Sequence, residues 1–228
     1  MTQSKTVSIT KALPLPDRAS SIGYTAALAA TVLGLLYLLG TVASLLSSGS
    51  VSAPAGLVRF ISGGVALIWN PVLVILFAAL RHQVQEARKI YAELAVVFMA
   101  MLCVTSSINW FVQVTVAPAI AQAGNPAITA LIDPFQYGSI LYAVEHLGWG
   151  LFFGIGCLFA AFTMEGGRLD GDIRWLLAAA GIFGLLHVLG MVASQPVLYF
   201  LAYPAWGLLL PTACALLTVR FRRNETER

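Results

Sequence analysis

In the stretch LYAVEHLGWG, a carboxyl and an imidazole stand side by side, Glu145 and His146, within an otherwise apolar run. A second imidazole, His187, and the polar side chains of Asn109, Gln113 and Tyr203 interrupt other apolar runs of the chain. A carboxyl and an imidazole that meet away from water serve as a general acid and base, as a proton relay, or as a hydrogen-bonded clamp. Glu145 and His187 therefore form the candidate catalytic pair, sharing one proton. Asn109, Gln113, Tyr142, His146, Trp149 and Tyr203 are the candidate ligand-binding groups around them.

The elements that must position these residues are set by composition. Hydrophobic residues make up 59% of the 228 positions and charged residues 10%, with a mean hydropathy of +0.84. An ordinary soluble domain carries roughly 25% charge, so the chain reads as an integral membrane protein. Its net charge of +3 is small and its basic residues are scattered, which argues against a nucleic-acid partner. A bilayer core about 30 Å thick takes roughly 20 apolar residues of helix. Six runs have that length, at about 22–48, 57–80, 91–117, 138–163, 173–193 and 196–219. The expected fold is all-α, a six-helix transmembrane bundle over 22–219, with a 1–21 N-terminal segment and a 220–228 basic tail.

Lys and Arg fix the expected orientation, because they are retained on the cytoplasmic side. Lys5, Lys11 and Arg18 precede the first run; Arg81, Arg88 and Lys89 follow the second; Arg168 and Arg174 separate the fourth and fifth; Arg220, Arg222, Arg223 and Arg228 close the chain. Arg59 alone breaks the alternation, so both termini are expected to be cytoplasmic, in the inner or plasma membrane of the cell. Ala53-Pro54-Ala55 offers a signal-peptidase pattern, but the apolar run before it exceeds the 7–15 residues of a signal peptide. The expectation is that the first run is retained.

Helical rise converts sequence position into depth. Glu145 and His187 each lie about 10 Å inside the outer ends of spans four and five, Tyr203 about 10 Å inside span six, and Asn109 about 13 Å inside span three. Tyr37 and Thr41 on the first span and Gln113 on the third fall near that level. His187 shares a stripe with Ala180, Gly184, Met191 and Ser194, the small-residue pattern of close helix contact. Ser106, Asn109 and Gln113 recur at three and four, a polar seam on span three. Neighbours on a helix diverge by about 100°, so Glu145 and His146 are expected to face different surroundings, with Glu145 turned inward. Pro118, Pro126 and Pro134 forbid one continuous helix between spans three and four. A short helix over 128–132 there is a candidate lid, with an ordinary connector as the alternative. Asn70 is placed to satisfy a carbonyl freed by Pro71. Cys103, Cys157 and Cys214 stand alone, without metal-ligand spacing, and read as small hydrophobes.

Three functions fit this layer. The first is a buried pocket in the outer half of the bundle for a lipidic or amphipathic small molecule. The second is an embedded acid/base enzyme of isomerase or cyclase type, with Glu145 acting on an apolar substrate. The third is haem ligation by His146 and His187. Against all three stands a structural role, in which the polar groups hydrogen-bond helices together. No metal or other cofactor is expected outside the haem reading; the expected partners are membrane lipids, with a homo-oligomer compatible with the layout. A basic loop, ALRHQVQEARK, follows span two, and TVRFRR closes the last span. In this layout the chain resembles the small uncharacterised six-span integral membrane proteins common in bacteria. The resemblance implies a helical bundle with cytoplasmic termini and no particular activity. The surroundings of Glu145 do not match those of the intramembrane acid in the membrane terpene cyclases.

Overall fold

The computed structural model describes residues 18–48 and 57–226. Lys5, Lys11, the Ala53-Pro54-Ala55 pattern and Arg228 lie outside the described residues, so the readings that rest on them are carried by the sequence alone. Among the described residues every regular element is helical, and six stretches are long and apolar enough to cross a membrane: Arg18–Ala43, Phe60–Arg81, Glu86–Thr115, Ile140–Thr163, Arg168–Val192 and Val197–Arg223.

These stretches contain α1 (Arg18–Ser48), α2 (Leu57–Arg81) and α3 (Lys89–Thr115). The short α4 (Ala117–Gln122) and α5 (Pro126–Ile132) follow, in the segment where three prolines rule out a single helix. The fourth stretch is α6 (Ile140–His146), a widened π turn over Leu147–Phe152, and α7 (Phe153–Thr163). The fifth is α8 (Arg168–Val192). The sixth breaks into α9 (Pro196–Tyr199), α10 (Ala202–Pro204), a second π turn over Ala205–Leu209, and α11 (Leu210–Thr226).

The six stretches form a closed ring in chain order, because α1 packs on α2, α2 on α3, α3 on α7, α7 on α8, α8 on α11, and α11 back on α1. Trp69, Leu73, Phe153, Cys157, Leu210 and Cys214 are among the side chains buried at its centre. Outward positions are just as apolar: Leu35, Leu39, Ile68, Val104, Ile108 and Ile182 are all exposed. A surface of this kind suits hydrocarbon rather than water.

Small residues let α6–α7 sit close between its neighbours. A Cβ on Gly148 would lie 2.4 Å from Thr105 Oγ1 of α3, and one on Gly150 would lie 2.2 Å from Val188 Cγ2 of α8. The small-residue stripe of span five meets this face, since a Cβ on Gly184 would lie 3.1 Å from the Gly150 carbonyl. Gly154 and Gly181 approach backbone to backbone in the same way. Such approach is what small residues contribute to helix association in hydrocarbon.

Polar contacts give the ring two different ends. At one, Arg81 of α2 pairs with Glu93 of α3 at 2.6 Å, Arg88 pairs with Glu165, and Arg220 of α11 donates to Asp170 of α8 at 2.9 Å. Gln83 donates to Ser20 of α1 and accepts from Arg220. These contacts gather the helix ends that carry the Lys and Arg residues. The opposite end holds the aromatic and polar layer.

One expectation about the interior is corrected. Asn70 is buried, yet neither atom of its amide has a hydrogen-bond partner among the described residues. It does not satisfy a carbonyl freed by Pro71.

Candidate functional site

The layer away from the basic end is built on α6, which lies between α3 and α8. Its first turn is fixed by Ser139, whose hydroxyl accepts from the Tyr142 amide at 3.0 Å. One helical step separates Glu145 from His146, so the two bond in different directions. Glu145 turns to the polar seam of α3, where its Oε2 accepts from Asn109 Nδ2 at 2.8 Å. Its Oε1 accepts from Trp110 Nε1 at 3.1 Å and from the Ser106 hydroxyl at 3.3 Å. Ser106 also accepts from Trp149 Nε1 at 2.9 Å. The carboxyl is thus held directly by three neutral groups, with Trp149 behind one of them.

His146 turns toward α8. Its Nδ1 lies 2.7 Å from His187 Nε2, and His187 Nδ1 lies 2.7 Å from the Tyr199 carbonyl. A carbonyl only accepts, so Nδ1 of His187 carries a hydrogen. With both rings neutral, Nε2 of His187 is then an acceptor, and Nδ1 of His146 donates to it. That leaves Nε2 of His146 as a bare acceptor.

The structure therefore brings the two named acid/base residues into one layer without joining them. His187 bonds His146, and Glu145 bonds α3, because consecutive positions on α6 diverge by about 100° and the two neighbouring helices lie on different sides. The expectation that Glu145 and His146 face different surroundings describes their bonds but not their exposure, since both border the same cavity. The imidazoles named for haem ligation are in direct hydrogen-bond contact, rather than set apart on two sides of a macrocycle.

The cavity has a volume of about 120 Å³. Tyr37, Leu38, Gly40 and Thr41 of α1, Ser62 of α2 and Trp110 of α3 form one side. Tyr142, Glu145 and His146 of α6 form another, and Tyr199, Tyr203, Trp206 and Gly207 a third. Pro134 and Phe135, from the connector between α5 and α6, complete it. A second, more open space of about 360 Å³ shares the wall made by Phe135, Tyr142 and Tyr199 and is otherwise lined by Tyr137 and the 190–195 turn. The Tyr142 and Tyr199 rings stack across that wall, with centroids 6.2 Å apart. A third space, only about 10 Å³, lies between Glu145, Trp69 and Trp149. That is roughly the room one water molecule needs, and Trp69 Nε1 is a buried donor without a partner among the described residues.

Of the remaining candidate ligand groups, Tyr142 and Tyr203 line the main cavity, Trp149 lines the small one, and Asn109 reaches Glu145 from behind. Gln113 does something else: its Nε2 donates to the Ile132 carbonyl at 2.6 Å and ties the end of α5 to α3. The connector thus reaches the cavity through Pro134 and Phe135, beyond the short helix proposed as a lid.

Tyr199, Trp206, Ser62 and Phe135 were not among the candidates. Trp206 matters most, because its Nε1 donates to the Trp149 carbonyl at 2.8 Å and so joins the two π turns. The signal available for it was the run YFLAYPAW, dense in rings and broken by a proline. Widened turns free backbone groups for such side-chain partners and often occur at functional sites.

Comparison with protein-family models, with curated proteins and with solved structures found no match to this chain.

Proposed function

We propose that this chain is a multi-pass protein of the cell membrane that holds a lipidic or amphipathic small molecule in the cavity between α1, α3, α6 and the 199–207 segment. The basic end faces the cytoplasm in this reading, which the retention of Lys and Arg on that side supports. The cavity then opens in the outer half of the bundle. The observation that carries the reading is the cavity itself, where a carboxyl and an imidazole border a space whose other walls are mainly rings. Packing glue alone would close such a space, since helices in hydrocarbon gain by van der Waals contact. Small-molecule sites have this composition, mostly apolar walls with a few polar groups that orient the ligand.

The direct His146–His187 contact supports a hydrogen-bonded clamp that holds α6 against α8 and fixes one wall of the site. Haem ligation has no corresponding support.

The test is retention. Protein purified in dodecyl maltoside is analysed by mass spectrometry beside Ser62→Phe, which places a ring into the cavity from α2. The expected result is an amphiphile present in near-stoichiometric amount in the wild type and lost from the variant. No retained molecule in the wild type, or the same amount in both, contradicts the reading.

A further inference from the structure

We infer that the occupant is a cationic amphiphile, an amine in its ammonium form, whose head enters the cavity as the counter-charge to Glu145. This rests on the pocket reading above and specifies its ligand.

Charge is the first argument. The groups bonded to Glu145 are Asn109, Trp110 and Ser106, all neutral. Asn109 Nδ2 and Trp110 Nε1 are pure donors, and the Ser106 hydroxyl already accepts from Trp149. Three donors converging on one carboxyl suit its ionised form, which only accepts. Among the described residues lining the cavity there is no Lys or Arg. Ionised side chains at this depth ordinarily pair with an opposite charge.

Hydrogen-bonding capacity follows from the ionised form. A carboxylate offers about four acceptor positions. Two donors occupy Oε1 and one occupies Oε2, leaving a position open on Oε2. His146, on the same wall, has its bare acceptor at Nε2. The two ionisable groups of the α6 wall thus both present acceptors, and an N–H-bearing cation supplies what they lack. A second carboxylate or a phosphate would meet lone pairs and negative charge instead.

The rings supply the second argument. Tyr37, Trp110, Tyr142, Tyr203 and Trp206 all border the space. The Tyr37 and Trp110 rings meet edge to face at 6.5 Å, and Trp206 stacks beside His146 at 6.0 Å. Aromatic faces attract ammonium groups, more strongly when water is excluded. Size agrees with a head group rather than a whole lipid: a cavity of about 150 Å³ accommodates benzene, and this one is slightly smaller. The apolar remainder of the ligand must lie outside it.

The experiment is a titration of wild-type protein in dodecyl maltoside with dodecylamine at neutral pH, followed by tryptophan fluorescence, since Trp110 and Trp206 line the cavity. Dodecanol is the tail-matched neutral probe. The expected result is saturable binding of the amine, much tighter than that of the alcohol, and weakened about thirtyfold or more in Glu145→Gln, as when one member of a buried charge pair is lost. Dodecanol binding should be the same in both proteins. Dodecanol binding as tight as the amine, with Glu145→Gln changing neither, overturns the ammonium assignment and leaves the pocket reading standing. Binding of neither probe, together with no retained molecule in the purified protein, fails the pocket reading itself. Should Glu145→Gln not fold, Tyr37→Leu carries the test. Loss of one ring face should weaken the amine about threefold or more while leaving the alcohol within about twofold, and equal weakening of both overturns the assignment.

Discussion

Asp170, at the basic end of the bundle, accepts from the Arg220 guanidinium at 2.9 Å, whereas Glu145, at the other end, is held among the described residues by an amide, an indole and a hydroxyl. The same contrast holds for their neighbours. Glu93, Glu165 and Glu86 pair with Arg81, Arg88 and Lys89, while the imidazoles near Glu145 bond each other and a carbonyl. At the basic end, these acids are paired with bases close to the ends of the spans. At the other end a carboxyl is fixed by dipoles, with no cation among them, beside an open space. Dipoles hold a charged group in place without neutralising it, and on this the proposal of a positive ligand rests.

Substitutions can break this contrast, and the largest effect belongs to Glu145. Replacing it with Leu strands the donors of Asn109, Trp110 and Ser106 in a buried layer. Each unsatisfied group costs about 1–3 kcal/mol, so Glu145→Leu should lower stability by at least about 3 kcal/mol in reversible unfolding from detergent. A loss below about 1 kcal/mol would mean that the carboxyl is not held as described. Arg220→Ala comes next. Its ion pair is only 12% and 13% exposed, and removing the guanidinium leaves Asp170 uncompensated near the boundary, at about 2 kcal/mol.

Two smaller effects sharpen the comparison. A double-mutant cycle on His146 and His187, each changed to Phe, should report a coupling of about 1 kcal/mol, the scale of side-chain hydrogen bonds between membrane helices. The parallel cycle on Glu145 and His187 should give a coupling within about 0.5 kcal/mol of zero, as for groups with no shared partner. Reversal of those two values would restore the carboxyl–imidazole pair expected from sequence. Arg81→Ala should have the smallest effect, below about 0.5 kcal/mol, because its pair with Glu93 is 36% and 45% exposed.

Depth was legible in the sequence and direction was not. Runs of apolar residues gave six helices close to their observed positions, since span length is dictated by bilayer thickness. Counting along those runs placed Glu145, His187, Asn109 and Tyr203 at one level, and two of the four, Glu145 and Tyr203, line the cavity. Which helix each side chain meets depends on rotation about the helix axis, and here the 3.6-residue period fails. The π turns at Leu147–Phe152 and Ala205–Leu209 shift the register just beyond His146 and at Trp206. Regular periodicity cannot carry a face across such a turn. The Trp206–Trp149 link was hidden for that reason, whereas His146 and His187 lie outside the widened turns and were already matched in depth by the haem reading. Gln113 shows a different limit. It belongs to the polar seam by spacing, but its amide bonds the Ile132 carbonyl at the end of α5.

The central claim is that Glu145 meets its ligand as a negative charge, with no counter-ion among the described residues that line the cavity. Infrared difference spectroscopy reads this directly, by subtracting the spectrum of ligand-free protein from that of protein saturated with dodecylamine. The account predicts a shifted carboxylate stretching band in the wild type that disappears in Glu145→Gln. An identical difference spectrum in the two proteins, or a wild-type change confined to protonated carboxyl, would contradict it.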